Sequence, residues 1–116
     1  MPDQEIELEK IHDLATRERV ALKKHTVLRM CQRGILIDEV KYALCSCELI
    51  ERYPADRPLP NALLLGFTQV GRPIHAVAAI NIREDMLWVI TVYEPTLQEW
   101  RDGYRERKAG DEVRPV

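Results

Sequence analysis

Residues 25–35, HTVLRMCQRGI, place His25, Arg29 and Arg33 four residues apart and end the series near a glycine, Gly34. In a helix each four-residue step advances only about 40° around the axis, so the three side chains form one slanting cationic stripe. No acid interrupts it, and the stripe can present donors to an anion. Two further residues extend the chemistry. His75 precedes Val77 and Ala79 on an apolar stretch, and Tyr93 ends another. Cleavage of RNA by its own 2'-hydroxyl needs a base for that proton, cations for the phosphorane charge and an acid for the leaving oxygen. His25, His75 and Tyr93 are the catalytic candidates in this reading, and Arg29 and Arg33 the phosphate-binding ones. Imidazole ordinarily titrates near working pH, guanidinium offers phosphate a bidentate fork, and a phenol can stack on a base or pass a proton.

Each of these residues has a plainer role available. His25 suits a helix cap or an open surface. Arg29 and Arg33 can brace helices by pairing with Glu39, Glu48 or Glu51. His75 fits a core histidine with satisfied nitrogens, and Tyr93 and Trp100 fit packing residues. His12 has no evident partner and receives no role.

Charge is unevenly spread. The 116-residue chain has a net charge of -2 and is 46% hydrophobic, enough for one core. Residues 19–33 nevertheless hold five bases and no acid, and residues 57–83 three bases and no acid. Such islands in an acidic chain point to local anion binding, not to general coating of nucleic acid. Cys31, Cys45 and Cys47 are odd in number, and Cys45-Ser-Cys47 is too closely spaced for a zinc pair, so they read as reduced, buried thiols of a cytoplasmic protein. No run approaches the ~20 apolar residues of a membrane span. Glycine-rich phosphate loops, nucleophile elbows and metal-ligand pairs are absent from the sequence, so no cofactor and no metal are expected.

The elements that must position these residues follow from periodicity. Pro2 and Asp3 suit the start of a helix over 3–18, residues 19–24 read as an extended link, and the stripe forms a second helix that Gly34 ends. Ile37, Val40, Leu44 and Cys47 mark a third. Strands follow over 48–53, 62–70, 74–83 and 86–93, separated by a proline-rich loop and by turns at 71–73 and 84–85. The run Leu87 to Ile90 suggests a buried central strand. If the last two strands pair through Glu84-Asp85, His75 and Tyr93 fall nearly opposite each other. Thr96 and Glu99 suit the capping box of a final helix over 96–108. The expectation is a single α+β domain over 1–116: an N-terminal helix at 1–19, a core at 20–108 and a mobile tail at 109–116. The core holds a four-stranded antiparallel sheet between N-terminal helices and a C-terminal helix.

Three ordered motifs carry a resemblance: KKHTVLRMCQRGI at 23–35, GRPIHAV at 71–77 and ITVYEPTLQEW at 90–100. Together they resemble domain-of-unknown-function family 4258, whose members resemble the RelE/ParE-like toxin superfamily. Leu36 stands where that family usually has a serine able to cap the third helix. The resemblance implies a compact antiparallel sheet flanked by helices, and a neighbouring gene for a small zinc-binding antitoxin with CxxC pairs. It covers both ribonucleases and gyrase poisons. The expected function is a toxin of a type II toxin-antitoxin pair, a metal-independent endoribonuclease acting on mRNA, with an antitoxin and RNA or the ribosome as partners and no membrane. The alternatives are a non-catalytic protein-interaction module, favoured by apolar Leu63 to Leu65, and an RNA-binding protein without turnover.

Overall fold

A computed structural model describes residues 7–108. The chain runs α1 (Leu8–Thr16), β1 (Val20–Leu22), α2 (Lys24–Gln32), α3 (Ile37–Leu44), β2 (Glu48–Tyr53), β3 (Asn61–Phe67), β4 (Pro73–Asn81) and β5 (Met86–Tyr93). The expected start at Pro2 and Asp3 and the expected tail at 109–116 lie outside the described residues. In α1, Ile11, Leu14 and Ala15 are buried at helical spacing, while Lys10 and Arg17 reach Asp85 in the β4–β5 turn. His12 accounts for itself here, its Nε2 lying 2.7 Å from the Cys47 carbonyl. Gly34, at φ 71°, ends α2 as expected. At the head of α3, Leu36 has no hydroxyl to offer, but Glu39 reaches back to accept from the Leu36 N–H at 2.9 Å.

The sheet has five strands, not four, in the order β1-β5-β4-β3-β2. β1 arises from the residues read as a link and lies parallel to β5, whereas all other pairs are antiparallel. Three residues are too few to show a period-2 pattern. Their role is set by the partner edge, because unpaired N–H and C=O groups of β5 would otherwise be exposed. Past Leu22 the chain turns into α2, whose side chains continue that pairing: Thr26 Oγ1 donates to the Ile90 carbonyl at 3.0 Å and Arg33 Nη1 to the Val92 carbonyl at 2.6 Å.

One face of the sheet carries the helices. Ala62, Leu64, Ile74, Ala76, Ala78, Leu87, Val89 and Val92 meet Ile11, Leu14, Met30, Val40 and Leu44 in the main core. α3 sits so close to β3 that a Cβ at Gly66 would overlap the Ala43 carbonyl. A backbone carbonyl in a packed helix cannot step aside cheaply, so Gly66→Ala is expected to lower stability by about 2–3 kcal/mol in urea denaturation. An unchanged midpoint would mean that α3 is free to shift.

The opposite face carries Leu63, Leu65, His75, Ala79 and Trp88, and an irregular segment over 95–108 covers one end of it. Leu63, Leu64 and Leu65 are each at most 1% exposed, so they belong to the interior and offer no patch to a partner. The expected C-terminal helix over 96–108 does not form. A single turn closes where the Trp100 N–H bonds to the Thr96 carbonyl at 3.0 Å, and then Gly103 and Tyr104 adopt φ 94° and 63°, which no right-handed helix accepts. The chain doubles back until Trp100 bridges Arg107 and the Lys108 N–H reaches the Glu99 carbonyl at 3.0 Å. Anchoring outweighs propensity: Trp100 is 1% exposed, and Arg105 and Arg107 pair with Glu48 and Glu51 of β2. Among the cysteines only Cys47 is buried, and desolvation pushes its thiol up to about 12; Cys31 and Cys45 are exposed, contrary to expectation.

Candidate functional site

The stripe is open to solvent. His25, Arg29 and Arg33 are all exposed, and none of the acids expected to brace the arginines does so. Glu39 pairs with Arg72, Glu48 with Arg105 and Glu51 with Arg107. Arg33 is committed to the Val92 carbonyl at the sheet edge. The Arg29 side chain makes no hydrogen bond or ion pair among the described residues. Arg72, from the GRP motif, is structural in its contacts: it bonds the Gly34 carbonyl at 2.9 Å and Glu94 at 2.8 Å, holding the α2–α3 turn against the sheet.

His75 and Tyr93 lie directly opposite each other on β4 and β5, the register expected for them. Their surroundings differ from the expectation. His75 is 0% exposed, with its ring 4.5 Å from Trp100, its Nδ1 3.1 Å from the Tyr93 hydroxyl and its Nε2 3.0 Å from the Tyr104 carbonyl. A carbonyl only accepts, so Nε2 carries the proton and Tyr93 O–H donates to Nδ1. Both nitrogens are thus spent, Nδ1 across the β4–β5 pair and Nε2 in holding the C-terminal segment on the sheet. The structure brings this pair together but does not bring it to the stripe.

This burial has a measurable consequence. Desolvation holds the His75 pKa below the ordinary histidine value; Arg107 lowers it too, opposed by the bond to Tyr104 and by Glu51. The folded state therefore favours neutral imidazole, and the unfolded chain takes up the proton first as pH falls. Stability is full above about pH 6.5 and declines below it. Denaturation midpoints are expected to drop between pH 7.5 and pH 5 and to flatten in His75→Gln; equal slopes in both proteins would contradict the assignment.

His25 belongs to a different grouping. The head of α2 (Lys23, His25, Thr26), the β2–β3 loop (Arg57, Pro58, Leu59) and the sheet surface (Asn61, Ala79, Asn81, Trp88, with Glu84 from the turn) enclose a cavity of about 420 Å³. That is of a size to hold one small-molecule unit. Its floor follows the sheet register, because Ala79 pairs with Trp88 and Ala78 with Ala62, the residue after Asn61. Glu84 is firmly set: its N–H bonds Asn81 Oδ1 at 3.1 Å, its carbonyl accepts from Arg19 at 2.9 Å, and its Oε1 accepts from Trp88 Nε1 at 2.8 Å. Arg57 lies against its own loop, bonding the Ala55 and Asp56 carbonyls at 3.0 Å each. One lysine, one arginine, one imidazole, one carboxylate and one indole thus surround a single space. Among the described residues no three His, Cys, Asp or Glu side chains gather as metal ligands, and no helix is long and apolar enough to cross a membrane.

Lys23, Arg57, Glu84 and Trp88 were not singled out by sequence reasoning. Lys23 and Arg57 lie in the two basic islands, a signal for them in charge alone, whereas Trp88 is masked inside an apolar run.

Fold and site together describe an α+β protein with helices on one face of a five-stranded sheet, a C-terminal strap over one end of the other face and a basic, aromatic cavity at the head of α2. A family model described as Domain of unknown function (DUF4258) matches residues 22–94. The chain belongs to that family. The match takes in the stripe, the cavity residues and the His75–Tyr93 pair, and stops before Trp100. No curated protein and no solved structure matches the chain.

Proposed function

We propose that the chain is a RelE/ParE-like toxin of a type II toxin-antitoxin pair, a metal-independent endoribonuclease acting on mRNA, with a small zinc-binding CxxC protein as its antitoxin. One observation carries the reading: exposed His25 shares a cavity with Glu84, Lys23, Arg57 and Trp88. Lysine and arginine supply cations for a phosphate and its transition-state charge, and an indole supplies a stacking surface. A carboxylate and an imidazole on one cavity provide a base and an acid. The Glu84 carboxylate takes the 2'-hydroxyl proton, O2' attacks phosphorus, the bond to O5' breaks, and imidazolium His25 gives its proton to that oxygen. The products are a 2',3'-cyclic phosphate and a 5'-hydroxyl end. His75 and Tyr93 then serve as positioning residues for the strap.

A second reading, the non-catalytic interaction module, draws support from exposed Leu36, Tyr42 and Val70 around two shallow grooves that share Asp38. Expression in a bacterial host separates the two. The toxin reading expects wild type to arrest growth and fragment transcripts, with His25→Ala and Glu84→Gln relieving both. Equal growth and intact transcripts in all strains would remove the nuclease reading in favour of the module.

A further inference from the structure

We infer that the cavity receives one base of a single-stranded RNA, stacked on Trp88, and that the strand leaves along α2 with its next phosphate on Arg29. This deepens the ribonuclease reading and rests on it for the choice of RNA.

Trp88 is the fixed point of the cavity. Its Nε1 is tied to Glu84 and its ring lies in the sheet surface beside Ala79, so the indole is held in place by a side chain and by backbone pairing. Ala79 leaves the space in front of the sheet unfilled, and the cavity of about 420 Å³ opens there. A fixed ring beside an empty space of that size suits a flat, uncharged group, which in a nucleic acid is a base. The polar groups agree. Asn61 and Asn81 flank the same space; Asn61 Nδ2 is bonded to Asp56 and Asn81 Oδ1 to the Glu84 N–H, which leaves the Asn61 Oδ1 acceptor and the Asn81 Nδ2 donor for a base edge or a ribose hydroxyl. Lys23 and His25 stand at its α2 side, where the phosphate of a stacked nucleotide would be neutralised.

The exit follows from helix geometry. Arg29 lies one step beyond His25 on the same exposed face, about 6 Å along the axis, comparable to one nucleotide of extended strand. Its side chain has no partner among the described residues. Its neighbour Arg33 is already engaged by the Val92 carbonyl, so the free cationic track ends after Arg29. A duplex cannot present a base to this cavity without unpairing it, and a single strand can.

The test measures binding separately from cleavage, using the full chain and a fluorescein-labelled 2'-O-methyl hexanucleotide of mixed sequence, which lacks the attacking hydroxyl. The single strand is expected to bind and the same sequence annealed to its complement to bind at least tenfold more weakly. Trp88→Leu is expected to lose about tenfold or more in affinity, and Trp88→Phe, which keeps a ring, to retain most of it. Arg29→Ala is expected to shallow the dependence of log affinity on log salt by about 0.7, the contribution of one phosphate on a single strand. Adenosine 5'-monophosphate is expected to compete at the cavity equally in wild type and Arg29→Ala. Affinity unchanged in Trp88→Leu, or equal for strand and duplex, overturns the inference, and if RNA is still cleaved the ribonuclease reading stands without it. Binding that follows the expected pattern with no cleavage of unmodified RNA would leave this inference standing and remove the ribonuclease.

Discussion

Replacing His25 with alanine is expected to slow cleavage of RNA by about 10²–10⁴-fold, the range lost with a single general acid or base. The side chain is exposed at the head of α2, makes no hydrogen bond among the described residues and packs into no core, so the same change should leave stability within about 0.5 kcal/mol of wild type. That separation gives the experiment its value, because loss of activity without loss of fold assigns the defect to chemistry. Glu84→Gln is expected to slow the reaction comparably, although the amide oxygen it introduces can still accept a bond from Trp88 and so preserve the turn. Initial rates under single-turnover conditions read the effect directly. A His25→Ala protein with wild-type rates would move the acid elsewhere.

Trp100→Ala is expected to cost about 3–5 kcal/mol, the largest stability effect of any single side chain on the second face of the sheet. Trp100 is buried at 1% exposure, stands edge-on to His75 at 4.5 Å and lies 4.6 Å beneath the Arg107 guanidinium. Its removal opens a cavity and uncovers a histidine whose two nitrogens depend on the strap for shelter. The ion pairs of Arg105 and Arg107 lie near the surface and cannot compensate, since exposed pairs contribute little. Urea denaturation followed by far-UV circular dichroism measures the loss, with Trp100→Phe expected to recover part of it. A cost below about 1 kcal/mol would show that residues 95–108 are not integral to the folded sheet.

Much of the fold is legible in residues whose pattern and partners are local. α2 ends at Gly34 because the helix needs a left-handed residue there, and β3 to β5 form a meander because short turns permit little else. The His75–Tyr93 pairing is instructive. Asn81 pairs with Met86, a register that would set Val92 against His75 were it not for a bulge at Ile90, which adds one residue and restores Tyr93 to that place. Ile90 is also why the apolar run in β5 is not simply a buried central strand: Leu87 and Val89 are buried, Trp88 lines the cavity, and Ile90 turns outward at 42% exposure.

The features that sequence hides are those decided by distant partners. β1 is written in three residues that gain meaning only against Leu87–Val89. The strap carries a sound helix signal at Thr96 and Glu99 that is overridden by a buried tryptophan and by acids of β2 more than fifty positions away. Of the proposed site, His25 and Arg29 were visible because a helix repeats every four residues. Arg57, Glu84 and Trp88 were not, because only strand register and the path of a proline-rich loop bring them to His25.

The proposed chemistry is cleavage of RNA in the cavity at the head of α2. Its most direct test is incubation of purified protein with an end-labelled, unstructured RNA in the presence of EDTA, with product ends identified by enzymatic treatment. Fragments ending in 2',3'-cyclic phosphate and 5'-hydroxyl are expected with wild type, and intact RNA over the same interval with His25→Ala. Intact RNA with both proteins, or equal cleavage by both, would contradict it.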